Sequence, residues 1–247
     1  MIEAENLQKY FHDPKTKDTK RAVDGVSFSA KPGEIFGLLG ANGAGKTTTI
    51  RMLATILEPT GGKGTVNGYD IRTESAKVRE SIGYLTGTAA LYERLTAREM
   101  LTYFGDLYGM SAARRNERIE TIAETLEMHE FLDRRCDKLS TGQRQRTSIA
   151  RSVLHEPPVL FFDEPTSGLD IMAARTVVRF IRRSRQEGKT ILFSTHIMAE
   201  VEALCDRVAV VHGGKVAAIG TLNELRDRTG GTTFEQVFLR VIGEPEN

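Results

Sequence analysis

Eight consecutive residues, Gly40-Ala41-Asn42-Gly43-Ala44-Gly45-Lys46-Thr47, carry the clearest chemistry in the sequence. They fit the pattern G-x-x-x-x-G-K-[ST], and Thr48 follows. Glycines at these positions allow backbone conformations and close approaches that a Cβ would block. Where such a loop opens a helix, its backbone N–H groups line a concavity of anion size. Lys46 is then expected to reach the β and γ phosphates of a nucleotide, and the Thr47 hydroxyl to ligate Mg²⁺. The metal needs a second carboxylate site. Val159-Leu160-Phe161-Phe162 is an apolar run that ends in Asp163-Glu164. Asp163 is expected to hold Mg²⁺, directly or through water. Glu164, one residue on, is placed to polarise an attacking water as a general base.

These groups need a scaffold, and the hydrophobic pattern suggests one. The run Ile35 to Leu39 reads as a strand feeding the glycine loop, and a helix is predicted from about Lys46 to Leu57, closed by Pro59 and Gly61-Gly62. Residues 1 to about 70 otherwise read as short strands broken by turns. Residues 88–138 read as mostly helical. Thr96 with Glu99 forms a capping box, and Leu101, Phe104 and Leu107-Tyr108 keep helical spacing, as do Ile119, Ile122-Ala123 and Leu126. Residues 158–220 alternate again, with Val159–Phe162 and Thr190–Ser194 as buried parallel strands, each followed by a helical pattern. The segment from about 221 to 242 reads as two short helices. The polar stretch from His12 to Arg21 reads as a solvated hairpin loop.

Composition removes several classes. The 247 residues carry 34 Lys and Arg against 33 Asp and Glu, a net charge of +1. That lacks the electrostatic footprint of a nucleic-acid binder. Cys136 and Cys205 do not make a disulfide framework and point to a reducing compartment. The first residues are acidic and lack the features of a signal peptide. No window holds 18 successive apolar residues, so no membrane span is expected.

Further motifs tie these groups to a family. Leu139-Ser140-Thr141-Gly142-Gln143 resembles the signature motif of ABC-transporter ATPases, LSGGQ, with Thr141 in place of its first glycine. Ser167-Gly168-Leu169-Asp170, just after Glu164-Pro165, resembles the D-loop. His196 matches the switch histidine, and Phe11 occupies the position of the aromatic that stacks on adenine. Tyr10 beside it is the second candidate. The motifs run in the family's order from Phe11 to His196. Leu91 to Glu99 and Ser194 to Glu202 are similar, more narrowly, to ABC-2-type exporters and to the NatA-type sodium-extrusion subunits among them.

The resemblance implies an α/β fold: a P-loop core sheet, an N-terminal antiparallel β subdomain and an inserted helical subdomain at about 88–138. Residues 1–220 would be the nucleotide-binding domain, and 221–247 a short helical tail. The implied reaction is Mg²⁺-dependent ATP hydrolysis that drives export, with Na⁺ as a possible cargo, through a separate transmembrane permease. The subunit would sit peripherally on the cytoplasmic face of the membrane, with no nucleic-acid partner. It would pair head to tail with a second copy, so that Ser140, Thr141, Gly142 and Gln143 of one chain close on ATP bound by the other. His196 would contact the γ-phosphate or the catalytic water. Leu91, Tyr92 and Leu95 are the surface candidates for the membrane partner, with internal packing of the helical subdomain as the other reading. One position departs from the family: Gly87 stands where the Q-loop glutamine is usual, which bears on the metal contact. The competing readings are a soluble ABC ATPase acting on nucleic acid or ribosomes, and a non-catalytic nucleotide-binding regulator.

Overall fold

The computed structural model describes residues 1–12, 18–86 and 91–245. The N-terminal segment forms a hairpin of β1 (Ile2–His12) and β2 (Thr19–Ala30), strands that are longer than expected and take in His12 and Thr19–Arg21 of the expected loop, whose residues 13–17 lie outside the described residues. The apolar run β3 (Ile35–Leu39) leads through the glycine loop into α1 (Lys46–Leu53). Then come β4 (Gly61–Val66), β5 (Tyr69–Asp70), α2 (Ser75–Ser81) and β6 (Ile82–Leu85). A helical stretch follows: α3 (Ala97–Leu107), α4 (Ala112–Thr125), a 3-10 turn at Cys136–Lys138, and α5 (Thr141–Val153). The chain then alternates as β7 (Val159–Asp163), α6 (Ile171–Gln186), β8 (Thr190–Thr195) and α7 (Met198–Leu204). A hairpin of β9 (Arg207–His212) and β10 (Lys215–Gly220) precedes α8 (Leu222–Thr229) and α9 (Phe234–Ile242).

Two sheets result. One is antiparallel, in the order β2-β1-β4-β5. The other has the order β10-β9-β3-β8-β7-β6 and is parallel except at the β10 edge. Every residue of β3, β7 and β8 is buried, as expected of parallel strands covered on both faces. Phe36, Phe161, Phe162 and Phe193 on these strands are shielded from water. Each such burial contributes about 2 kcal/mol. Phe28 stacks on Phe36 with ring centroids 5.0 Å apart, which joins the two sheets.

The apolar faces of the helical stretch, with Met100, Leu101, Ile119, Ile122 and Leu126, belong to one core that continues through Ile35, Phe162 and Phe193 of the parallel sheet. The Thr96–Glu99 capping box forms as the sequence predicts. The tail folds as two helices, and Phe234, Val237 and Phe238 pack against Val201, Val208 and Val210.

Two expectations need correction. Helix α1 stops at Leu53, not Leu57, because Thr55 turns into the left-handed region at φ 61°. The Ile56 and Leu57 amides then fold back onto the Arg51 carbonyl. Leu91 is not on the surface: it is buried in the helical interior, and Leu95 packs against that interior. Tyr92 is exposed, and its ring stacks on Phe104.

Candidate active site

The parallel strands β3, β7 and β8 all end at one edge of the sheet, and the chemistry collects there, as it does at the carboxyl edge of open α/β sheets. Leu39 hands the chain to Gly40, β7 ends at Asp163, and β8 ends at Thr195. Register sets Asp163 opposite Ser194.

The glycine loop depends on its glycines for two reasons. A Cβ on Gly40 would lie 2.3 Å from the Val211 carbonyl oxygen, and one on Gly45 would lie 2.6 Å from that of Ala22. Gly43 and Gly45 also take positive φ, 82° and 109°. Gly45 is the N-cap of α1 and supplies no side-chain cap. The first intrahelical bond runs from the Thr49 N–H to the Gly45 carbonyl. The amides ahead of it, on residues 46–48, have no acceptor within the helix.

Lys46 is buried, and its ammonium donates to the carbonyls of Gly40 at 2.6 Å and Ala41 at 3.1 Å. It also lies 3.4 Å from Glu164 Oε1. Thr47 donates its hydroxyl to Asp163 Oδ1 at 3.0 Å, and Ser194 donates to the same oxygen at 2.6 Å. Asp163 is buried and its aim is fixed from two sides. Glu164 sits in the left-handed region at φ 50°, a conformation that costs a non-glycine residue about 1 kcal/mol. Its N–H is held by Ser194, at 3.1 Å to the carbonyl oxygen and 3.2 Å to Oγ. The carboxylate thereby lies between Lys46 and His196, whose Nδ1 is 3.3 Å away. Beneath the site, burial and the nearby Asp163 charge push the Tyr84 phenol above its ordinary pKa.

A cavity of about 210 Å³ opens over this group, lined by Phe11, Lys20, Ala22, Glu164 and the loop from Asn42 to Thr48. Phe11 is 42% exposed, whereas the Tyr10 hydroxyl is spent on Asp24 at 3.0 Å. Phe11, Asn42, Gly43, Ala44, Gly45, Lys46, Thr47, Thr48 and Glu164 therefore share one cavity. Gly40, Asp163 and His196 join it through the contacts above.

Ser140, Thr141, Gly142 and Gln143 do not line this cavity; they form the start of α5. The Ser140 hydroxyl accepts from the Gln143 N–H at 3.3 Å, and the Gln143 side chain accepts from the Ser140 N–H at 3.0 Å. Gly142 packs where a Cβ would come 2.7 Å from the Ala173 Cβ. Gly87 lies outside the described residues. Sequence reasoning missed Ser194 and Lys20. Ser194 carries a faint signal, two residues before His196 on a predicted strand.

The site fits the groups implied for it. A buried ammonium beside open helix amides suits phosphate. A hydroxyl and a carboxylate oxygen side by side form a hard-oxygen donor pair that suits Mg²⁺. Both cysteines are packing residues: burial pushes each thiol pKa up, and Cys205 Sγ fills the space a Cβ on Gly37 would need. Among the described residues, no helix is long and apolar enough to cross a membrane.

Known proteins resemble this chain in sequence and fold. The family model described as "ABC transporter" matches residues 23–167. A model described as "AAA domain, putative AbiEii toxin, Type IV TA system" matches residues 133–202. The chain is 42% identical to the ABC transporter ATP-binding protein NatA of Bacillus subtilis (strain 168), over 97% of each chain. It is 38% identical to the linearmycin resistance ATP-binding protein LnrL of the same organism, over 99% of this chain and 76% of that one. It is also 39% identical to the probable multidrug ABC transporter ATP-binding protein YbhF of Escherichia coli (strain K12), of which it spans 42%. Among solved structures, an ATP binding subunit of an ABC transporter superposes with a TM-score of 0.86 at 30% identity, over 98% of this chain and 99% of that one. The dimeric bacterial cassette MJ0796 superposes at 0.82 with 25% identity, over 90% and 99%.

Proposed function

This chain belongs to the ABC transporter family of ATP-binding subunits, and we propose that its ATPase activity drives export through a separate transmembrane permease. The observation that carries the reading is the position of Glu164, between Lys46 at 3.4 Å and His196 at 3.3 Å, beside an Asp163 bonded to Thr47. Lys46 and the amides of residues 43–48 neutralise phosphate charge. Thr47 and Asp163 hold Mg²⁺, which when bound supplies a charge that screens the phosphate oxygens. Glu164 takes the proton of the attacking water, and His196 steadies that water or the γ-phosphate. Phe11 stacks on the base.

We assign residues 1–220 to the nucleotide-binding domain and 221–247 to a tail. Ser140, Thr141, Gly142 and Gln143 serve the ATP of a second copy in a head-to-tail homodimer, since they lie outside the chain's own cavity. The subunit docks peripherally, at the cytoplasmic face of the membrane. Sodium is the cargo that the NatA-type resemblance suggests, and it is tested by ATPase stimulation of the subunit–permease complex by Na⁺. The reading itself is tested with Glu164→Gln. Turnover should fall roughly 100-fold or more with ATP still bound and Mg²⁺ still required by the wild type. A variant that hydrolyses at the wild-type rate removes Glu164 as the base.

A further inference from the structure

We infer that Glu200 is a positioning residue that fixes the turn carrying His196 and ties it to the Ser167–Asp170 turn. The inference rests on the reading of His196 above, and it adds a residue that the family motifs in the sequence did not single out.

The Glu200 carboxylate is bonded from two sides. Oε2 accepts from the Thr195 hydroxyl at 2.6 Å, and Oε1 accepts from the Thr166 hydroxyl. Both threonines are buried. Thr195 is the last residue of β8, next to His196. Its hydroxyl oxygen also accepts from the Ile197 N–H at 3.0 Å, so the three bonds hold the backbone on both sides of His196. Thr166 follows Pro165 and begins the turn that leads to Asp170. The Leu169 N–H bonds the Thr166 carbonyl, and the Ser167 N–H bonds the Glu164 carbonyl. Further back, Gln145 on α5 donates to the Pro165 carbonyl at 2.6 Å.

A blander role exists for this residue. Glu200 lies in the first turn of α7, where the helix dipole weakly favours an acid. That role needs only a charge near the helix end. It does not require one carboxylate to bridge two buried hydroxyls on separate segments. A carboxylate has enough lone pairs to accept both, whereas a carboxamide offers only one such oxygen. The consequence is mechanical. The His196 side chain is 40% exposed on its turn and lies 3.3 Å from Glu164, so its aim depends on how firmly that turn is held. Loss of the bridge frees the turn, and displacements of this size at a reacting centre carry large rate penalties.

The test is a double-mutant cycle in the full-length chain, read by single-turnover ATP hydrolysis and by KM. Glu200→Ala should lower the rate roughly 10-fold with KM for ATP within about twofold. In a His196→Ala background, the same change should alter the residual rate by less than about twofold, because the two residues act as one unit. Thr195→Val should behave like Glu200→Ala, and Thr195→Ser should recover most of the loss. If Glu200→Ala melts too low to assay, Glu200→Gln replaces it and is expected to be slowed in the same direction. An equal rate loss in both backgrounds, or a raised KM with an intact rate, overturns the positioning role. A slow His196→Ala beside a wild-type Glu200→Ala overturns that role alone. A wild-type rate in His196→Ala overturns the reading of His196, and the positioning role with it.

Discussion

Two helix N-termini carry the phosphate contacts proposed for this chain, and they are built differently. Helix α1 begins at Gly45, in a left-handed conformation and with no side-chain cap. Helix α5 begins at Ser140, with a complete capping box closed by Gln143. The first leaves its amides to a ligand and sets a buried lysine beside them. The second satisfies its own amide and leaves Ser140 and Thr141 exposed. A hydroxyl that accepts from an amide still has its proton to donate. Ser140 is thus held by its cap and able to donate to a phosphate that arrives from outside. One terminus lines a cavity within the chain, while the other is a capped, exposed end which, on the proposed reading, serves the ATP of a second copy.

The largest break in this comparison comes from Lys46→Ala. It removes the buried ammonium at α1, and ATP turnover should drop about 100-fold or more. Titration with a fluorescent ATP analogue should show the matching loss of affinity. Nothing done to α5 should affect nucleotide binding by the single chain to that extent.

Glycine substitutions sharpen the contrast in stability. Gly45→Ala places a Cβ 2.6 Å from the Ala22 carbonyl oxygen at φ 109°. It should destabilise the chain by about 2 kcal/mol or more, seen as a lower Tm. Gly142→Ala sits in a helix with no positive φ, but its Cβ would come 2.7 Å from the Ala173 Cβ, which is fixed to α6. The gain in helix propensity offsets only part of that crowding, so its Tm should fall by less than that of Gly45→Ala and by more than that of Ser140→Ala. Equal melting losses would erase the distinction between a loop held by backbone contacts and a terminus held by a cap. The smallest effect is expected from Ser140→Ala, about 1 kcal/mol in thermal or denaturant unfolding, with nucleotide affinity of the monomer retained.

Legibility in the sequence followed the distance between partners along the chain. The glycine loop, Asp163, Glu164 and the Thr96 capping box were readable because each is written in a few adjacent residues. Ser194 and Glu200 were not, because their partners are brought to them by the fold. Ser194 meets Asp163 through sheet register, and Glu200 meets Thr166 across 34 residues of chain. Leu91 reads equally as a partner contact or as interior packing, because an apolar residue before a capping box has the same pattern in both cases, and the fold buries it. Helix α1 reads four residues too long because a threonine entering the left-handed region, as Thr55 does, gives no compositional warning, unlike a glycine.

The central claim is that a complete catalytic site draws on two chains. Complementation tests it most directly. Glu164→Gln chains keep an intact α5 terminus but lack the base, and Gly142→Asp chains keep the base but carry a charge that repels phosphate at α5. Each should be nearly inactive alone. Mixed one to one, half of the dimers pair a working loop with a working α5 terminus at one of their two sites. ATPase activity should then recover to about a quarter of the wild-type value. A mixture no more active than the mean of its two components would contradict the shared site.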